Sequence, residues 1–128
     1  MRRLFVLTAP LFAIAALPAS AAPGDMKISA FLPKVEALKK KGMMAMFSSD
    51  YKTVKAEAEG AASQYRARIE SDRKTGRTPH SCPPPKGKAS MDSDALLAHL
   101  KSYSARQRQS TTIKVAFADL MKKRYPCS

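Results

Sequence analysis

The sequence predicts an all-α protein, a small four-helix domain in which one disulfide closes the last two helices. Two features carry this prediction. Apolar residues recur at steps of three and four, as they do on one face of a helix, and the last two segments of the chain both show this spacing. The only two cysteines, Cys82 and Cys127, lie just before and just after that pair of segments.

Helices joined by a short connector run antiparallel, so the residue before the first and the residue after the second fall at the same end of the pair. Cys82 and Cys127 occupy these two positions. The sequence therefore predicts a Cys82–Cys127 bridge, provided that the compartment is oxidising.

The N-terminus indicates such a compartment. Arg2 and Arg3 precede an apolar run, Leu4–Leu17, and small residues follow it, which is the arrangement of a secretory signal peptide. The run is shorter than the about 20 residues that a spanning helix needs. We therefore expect residues 1–21 to be cleaved.

Residues 22–128 are expected to form a single all-helical periplasmic domain with a strongly basic surface. Loss of Arg2 and Arg3 lowers the formal charge from +13 to +11. Such a charge suits an acidic protein, lipid head groups, anionic wall polymer or nucleic acid. Nucleic acid is not expected, because the basic residues are spread over every helix and secretion removes the usual targets. Weak binding to the anionic envelope and a homodimer both stay open.

The first helix is predicted over residues 29–41. Ser29 is a candidate cap, and Pro33 is placed in the first turn, where its missing N–H does little harm. Lys39–Lys41 followed by Gly42 is a strong C-terminal signal, since cations favour the negative end of a helix.

The apolar connector Met43–Phe47 has no clear period. A methionine cluster can form an adaptable binding surface or a soft ligand set for copper(I). With no adjacent histidine or cysteine, packing under the helices as core is the favoured prediction.

The longest helix is predicted to begin after Ser48 or Ser49 and to end near residues 72–74, before Gly76. Its apolar residues form a narrow seam for packing against other helices. The seam consists of Tyr51, Val54, Ala58, Ala61, Tyr65 and Ile69.

A long, basic, proline-rich loop spans residues 74–90. It is either a spacer or a rigid edge that contacts a partner, in which case the candidate partner-binding residues are Arg77, His80, Lys86 and Lys88. Metal binding at His80 or His99 is not expected, because neither has a second ligand at a suitable spacing.

The third helix is predicted from Ser90 to about Tyr103. A capping box of Ser104 and Gln107 opens the fourth, which is expected to continue to Arg124. The chain lacks a Gly-x-Ser-x-Gly elbow, so it is not expected to be an enzyme. It also lacks a glycine-rich phosphate loop and zinc-ligand spacing, so no cofactor is expected.

Three features of the C-terminal part occur together: the run Ser81-Cys82-Pro83-Pro84, a helix with Leu96, Leu97 and Leu100 followed by one containing Ala118-Asp119-Leu120, and the ending Tyr125-Pro126-Cys127. Over residues 80–127 this pattern resembles the C-terminal half of the Rap1a/Tai immunity-protein family. The resemblance implies a small, helical, disulfide-bonded periplasmic protein that neutralises peptidoglycan-amidase effectors of type VI secretion. Only Cys82 and Cys127 carry over, as the bridge.

The predicted function is therefore an immunity-type protein that binds a toxin and occludes its active-site groove. One alternative is an acid-stress chaperone similar to HdeA-type proteins, in which low pH opens the bundle and exposes Met43–Phe47. Another is a basic envelope-associated protein that attaches through Lys39–Lys41 and the basic loop.

Overall fold

The computed structural model describes residues 21–88 and 91–128, and within them the protein is all-α. The predicted signal peptide lies almost wholly in residues 1–20, outside this range. Within the described part of the chain, no helix is long and apolar enough to cross a membrane. The helices are α1 (Ile28–Lys41), α2 (Ser49–Lys74), α3 (Ser93–Ser102), α4 (Ala105–Ser110) and α5 (Ile113–Arg124), with a 3₁₀ helix over Gly42–Phe47.

The core forms where α1 and α5 pack against the middle and C-terminal half of α2. The predicted seam is confirmed there, since Ala61, Tyr65 and Ile69 are buried. The small Ala61 side chain lets the other elements approach α2 closely. The buried residues contributed by the other helices are Ile28, Phe31, Leu32, Val35, Leu100, Ile113, Ala116, Phe117 and Met121.

The prediction of one helix from Ser104 to Arg124 is wrong, because the chain breaks at Thr111 and Thr112. The Thr111 carbonyl accepts a hydrogen bond from the Ile28 N–H (3.0 Å), and the Ile113 N–H donates to the Met26 carbonyl (2.9 Å). The Thr112 hydroxyl then caps α5. These bonds to the segment before α1 replace helical ones, and the capping box at Ser104 opens only the short α4.

Two predicted helix starts also differ from the structure. Ser29 does not cap α1, since Lys27 precedes the first turn and Ser29 lies inside the helix, as does Pro33. The third helix begins three residues later than predicted. Asp92 is its cap, and the Asp92 carboxylate accepts the Ala95 N–H at 2.7 Å.

The segment that follows the predicted cleavage site is part of the domain. The Glu57 carboxylate on α2 accepts the N–H groups of Gly24 (2.6 Å) and Met26 (3.1 Å). Gly60 lies so close to Pro23 that an added Cβ would be 2.5 Å from the proline side chain. Glycine at position 60 therefore allows this segment to pack on α2.

The connector Met43–Phe47 does not pack as core, and that prediction is wrong. It forms most of the 3₁₀ helix, and none of its residues is buried. Its principal contacts are with α1 and α2, the helices that it joins. Its large apolar side chains are exposed at one end of α2.

Candidate partner-binding cleft

A cleft of about 250 Å³ lies between the C-terminal half of α2, helix α5 and the proline-rich loop. Its floor is apolar, and Pro83–Pro85 form one wall. A second hollow of about 410 Å³ continues from it towards α3. The residues that line both parts are Ala62, Arg66, Phe117 and Met121.

The proline wall is fixed at its base by the predicted disulfide, which is confirmed: Cys82 and Cys127 are bonded, with their Cα atoms 5.0 Å apart. Beside the bridge, the Cys82 N–H donates to the Tyr125 carbonyl at 2.8 Å. The Arg73 guanidinium donates to the Pro83 carbonyl at 3.3 Å. The loop is thus joined both to the end of α5 and to α2.

Tyr65 on α2 also anchors the proline-rich loop, through its hydroxyl group. Its hydroxyl lies 2.6 Å from the Ser81 Oγ and 2.9 Å from the His80 Nδ1. Ser81 is fully buried, so its hydroxyl depends on this contact rather than on water. The Tyr65 ring meets Phe117 edge to face at a centroid distance of 5.9 Å, which connects the loop anchor to the cleft floor.

The rim of the cleft is basic. In the first hollow Arg66, Arg73 and Lys86 line the rim against Glu70 alone, whereas in the second hollow Arg66 faces Glu59 and Asp92, so the excess positive charge belongs to the first hollow. An apolar floor under a cationic rim suits a protein surface that combines an apolar side chain with carboxylates.

Of the four predicted partner-binding residues, only Lys86 lines the cleft. Arg77 is exposed and forms an ion pair with Asp72 at 3.2 Å. His80 is half-buried against Tyr65, while Lys88 is exposed.

The two rim arginines of α2 were missed because the predicted seam included only the apolar residues of this helix. Arg66 and Arg73 are seven residues apart, which is about two helical turns, and each follows the apolar seam closely. That spacing places them along one edge of the seam. It is the feature of the sequence that could have identified them as rim residues.

The two histidines are partly or wholly withdrawn from water. Burial lowers the pKa of His99, and the nearby Lys123 acts in the same direction. The Tyr103 hydroxyl donates to the Asp119 carboxylate at 2.7 Å and lies 3.3 Å from the His99 Nε2, which ties α3 to α5. Burial, followed by the contact with Asp119, raises the pKa of Tyr103 far above its ordinary value. The pKa of His80 is lowered as well, first by burial and then by the positive charge of Arg68.

We expect the free energy of unfolding to fall as pH decreases from about 7 to 5, since the unfolded histidine pKa is near 6.5. A histidine whose folded pKa is lowered binds fewer protons when folded. Its contribution is therefore complete above pH about 6.5 and is lost as pH falls from that value towards the lower folded pKa. Urea unfolding at several pH values measures the effect, and His99→Gln should flatten the dependence.

The carboxylates titrate in a separate pH range, so they do not affect the comparison of the wild type with His99→Gln. Hydrogen bonds from lysines lower the pKa of Asp25, Glu36 and Asp50, so their contributions are lost only below about pH 5. Equal slopes for the wild type and His99→Gln between pH 7 and 5 would contradict the role assigned to His99.

Among residues 21–88 and 91–128, no group of three or more His, Cys, Asp or Glu side chains is arranged to hold a metal ion. Comparison of the chain with family models, curated proteins and solved structures found no match in any of the three. The resemblance of residues 80–127 to the Rap1a/Tai family therefore stays a prediction. The fold and the cleft define the class as a small disulfide-bonded helical domain with a basic-rimmed groove.

Proposed function

We propose that this protein is a non-enzymatic binding protein of the immunity type, which docks its basic-rimmed cleft on a partner enzyme and occludes that enzyme. One observation carries the proposal: the proline wall is fixed to α5 through Cys82 and to α2 through Tyr65, beside an apolar floor. A wall held in one conformation before binding loses little conformational entropy when a partner docks on it.

The apolar and the charged residues of the cleft have different roles in the proposed binding. Phe117 and Met121 offer apolar contact to an inserted side chain of the partner, while Arg66 and Lys86 face its carboxylates. Charge of the same sign over the rest of the domain raises the rate of encounter with an acidic surface. Occlusion then needs only that the docked domain covers the partner's substrate groove.

The class of partner that we propose is a peptidoglycan-amidase effector of type VI secretion. Its support is the resemblance of residues 80–127 to the Rap1a/Tai family, and that stretch supplies the proline wall and the whole of α5. A disulfide is compatible with an oxidising compartment, and the signal-like N-terminus leads us to propose the bacterial periplasm.

The structure gives no support to the acid-dependent step of the chaperone alternative. It required acid to open the bundle and expose Met43–Phe47, but the large apolar side chains of this segment are exposed in the folded domain. Exposure of this segment therefore does not require the bundle to open.

The decisive experiment is a pull-down with oxidised protein from periplasmic extract and from secreted effectors, washed at low and at high salt. We expect one partner with a peptidoglycan-hydrolase sequence that resists the high-salt wash. The test variant is Arg66→Glu with Lys86→Glu, and its matched control is Lys52→Glu with Arg106→Glu, which makes the same charge change at exposed positions outside the cleft.

The cleft variant should weaken binding about tenfold or more, because like charges are then opposed across the interface. The control should bind as the wild type does. Equal losses in both variants would show that only total charge matters, and the cleft would then not be the binding site.

A further inference from the structure

The 3₁₀ helix between α1 and α2 presents a concentrated apolar surface to solvent. The exposed fractions are 91% for Met43, 68% for Met44, 65% for Met46 and 83% for Phe47. Among the described residues, the only other exposed large apolar side chain is that of Val115, at 48%. We call Met43, Met44, Met46 and Phe47 the methionine tip.

The geometry of the segment explains why these side chains share one small protrusion. Residues three apart eclipse each other in a 3₁₀ helix, so Met43 lies over Met46 and Met44 over Phe47. Gly42, at φ 56°, ends α1 and starts the turn. These six residues join α1 to α2, which pack against each other, so the tip lies at the bend between the two helices.

Cations surround the tip on the side where α1 ends. Lys39, Lys40 and Lys41 are exposed in the last turn, and within the described residues none of them forms an ion pair. The neighbouring carboxylates are already engaged: Asp50 pairs with Lys34 at 2.9 Å and Glu36 with Lys101 at 3.1 Å. The immediate surroundings of the tip are therefore strongly positive.

We propose that the methionine tip is a membrane-docking element, which inserts into the interfacial region of an anionic lipid bilayer while Lys39–Lys41 bind lipid phosphates. Apolar side chains at a protruding end with lysines one turn behind match the order of acyl chains and head groups in a leaflet. The long lysine stems lie along the apolar boundary and keep their ammonium groups at the phosphates.

A bilayer fits the tip better than a second copy of the chain. Two copies would bring two lysine triplets and two strongly basic domains together, which like-charge repulsion opposes.

Docking at the tip leaves the cleft free. The tip precedes α2 at Ser49, whereas the cleft is centred near Ile69, twenty residues further along the same helix. At 1.5 Å per residue the two lie about 30 Å apart along the helix axis. A docked domain would thus hold its cleft away from the lipid surface, and the tip does not depend on the proposed partner.

Co-sedimentation with vesicles tests this proposal, using oxidised protein recovered from the periplasm of an expressing strain. One vesicle type is phosphatidylcholine alone and the other is equal parts phosphatidylcholine and phosphatidylglycerol. Because every variant has the same N-terminus, differences between variants report on the substituted residues. The tip variant is Met44→Ser with Phe47→Ser, and its control is Val115→Ser, an exposed apolar residue elsewhere.

The charge variant is Lys39→Gln, Lys40→Gln and Lys41→Gln. Its control removes the same charge at the end of α5 through Lys122→Gln, Lys123→Gln and Arg124→Gln.

We expect wild-type protein to bind the anionic vesicles. The tip variant should lose about tenfold or more in partitioning, and the charge variant about tenfold to a hundredfold, since each lysine near an anionic surface contributes about a fivefold change. Both controls should stay within about twofold of wild type.

Three results would overturn the proposal. The first is wild-type protein that does not bind anionic vesicles. The second is a control that loses as much binding as its matched variant. The third is a wild-type dimer in size-exclusion chromatography that Met44→Ser with Phe47→Ser converts to a monomer, which would make a second copy the occupant of the tip.

Discussion

Replacing Cys82 and Cys127 together by serine is expected to lower the free energy of unfolding by about 2–5 kcal/mol. The bridge closes a loop with a sequence separation of 45. In the chain-entropy account, a loop of that length corresponds to about 4 kcal/mol. Such a loss is large for a domain of this size, whose total stability is on the order of 5–15 kcal/mol.

Urea unfolding of the oxidised wild type, the reduced wild type and the double serine variant measures this effect. The reduced wild type and the variant should agree, since both lack the same constraint on the unfolded chain. A loss below about 1 kcal/mol would mean that Tyr65 and the Cys82 N–H bond hold the loop almost unaided. It would also weaken the case for a wall that depends on the bridge.

The all-α class, the disulfide and the seam of α2 could be predicted because each depends on local spacing. Tyr65 and Ile69 repeat at helical steps, and a chain with only two cysteines allows only one intramolecular bridge. The role of Ser81 could not be predicted in this way. Its burial depends on Tyr65, which lies sixteen residues earlier on another element.

The break at Thr111 and Thr112 shows where helical periodicity is insufficient. Apolar spacing resumes at Ile113, so the pattern across the break is compatible with one helix. What ends α4 is a pair of backbone hydrogen bonds to Met26 and Ile28, more than eighty residues earlier. Two consecutive β-branched threonines, one of which can cap a helix, were the only local signal.

The methionine tip was wrongly predicted to be part of the core, and the reason is different. Composition shows that Met43–Phe47 is apolar, but burial requires other elements to cover it. The main contacts of the other helices lie elsewhere, since α4 packs against α1, α5 against α2 and α3 against α5. An apolar connector without a period therefore leaves its orientation undetermined until the packing of the helices is known.

Replacing Tyr65 by alanine should destabilise the domain by about 3–5 kcal/mol, the range for removing a buried aromatic ring. Tyr65→Phe separates the hydroxyl from the ring. It leaves the buried Ser81 hydroxyl without its partner, at a cost of about 1–3 kcal/mol. Adding Ser81→Ala to Tyr65→Phe should recover part of that loss, because both polar groups are then absent.

The control for these variants is Tyr51→Phe, in the same seam but away from the loop, which should change stability by no more than about 0.5 kcal/mol. Hydrogen exchange at the Cys82 amide supplies a local readout, since that N–H donates to the Tyr125 carbonyl at the base of the wall. Tyr65→Phe should accelerate this exchange more than exchange in α1. A uniform increase would instead mean that Tyr65 contributes to the core in general and does not hold the proline wall in particular.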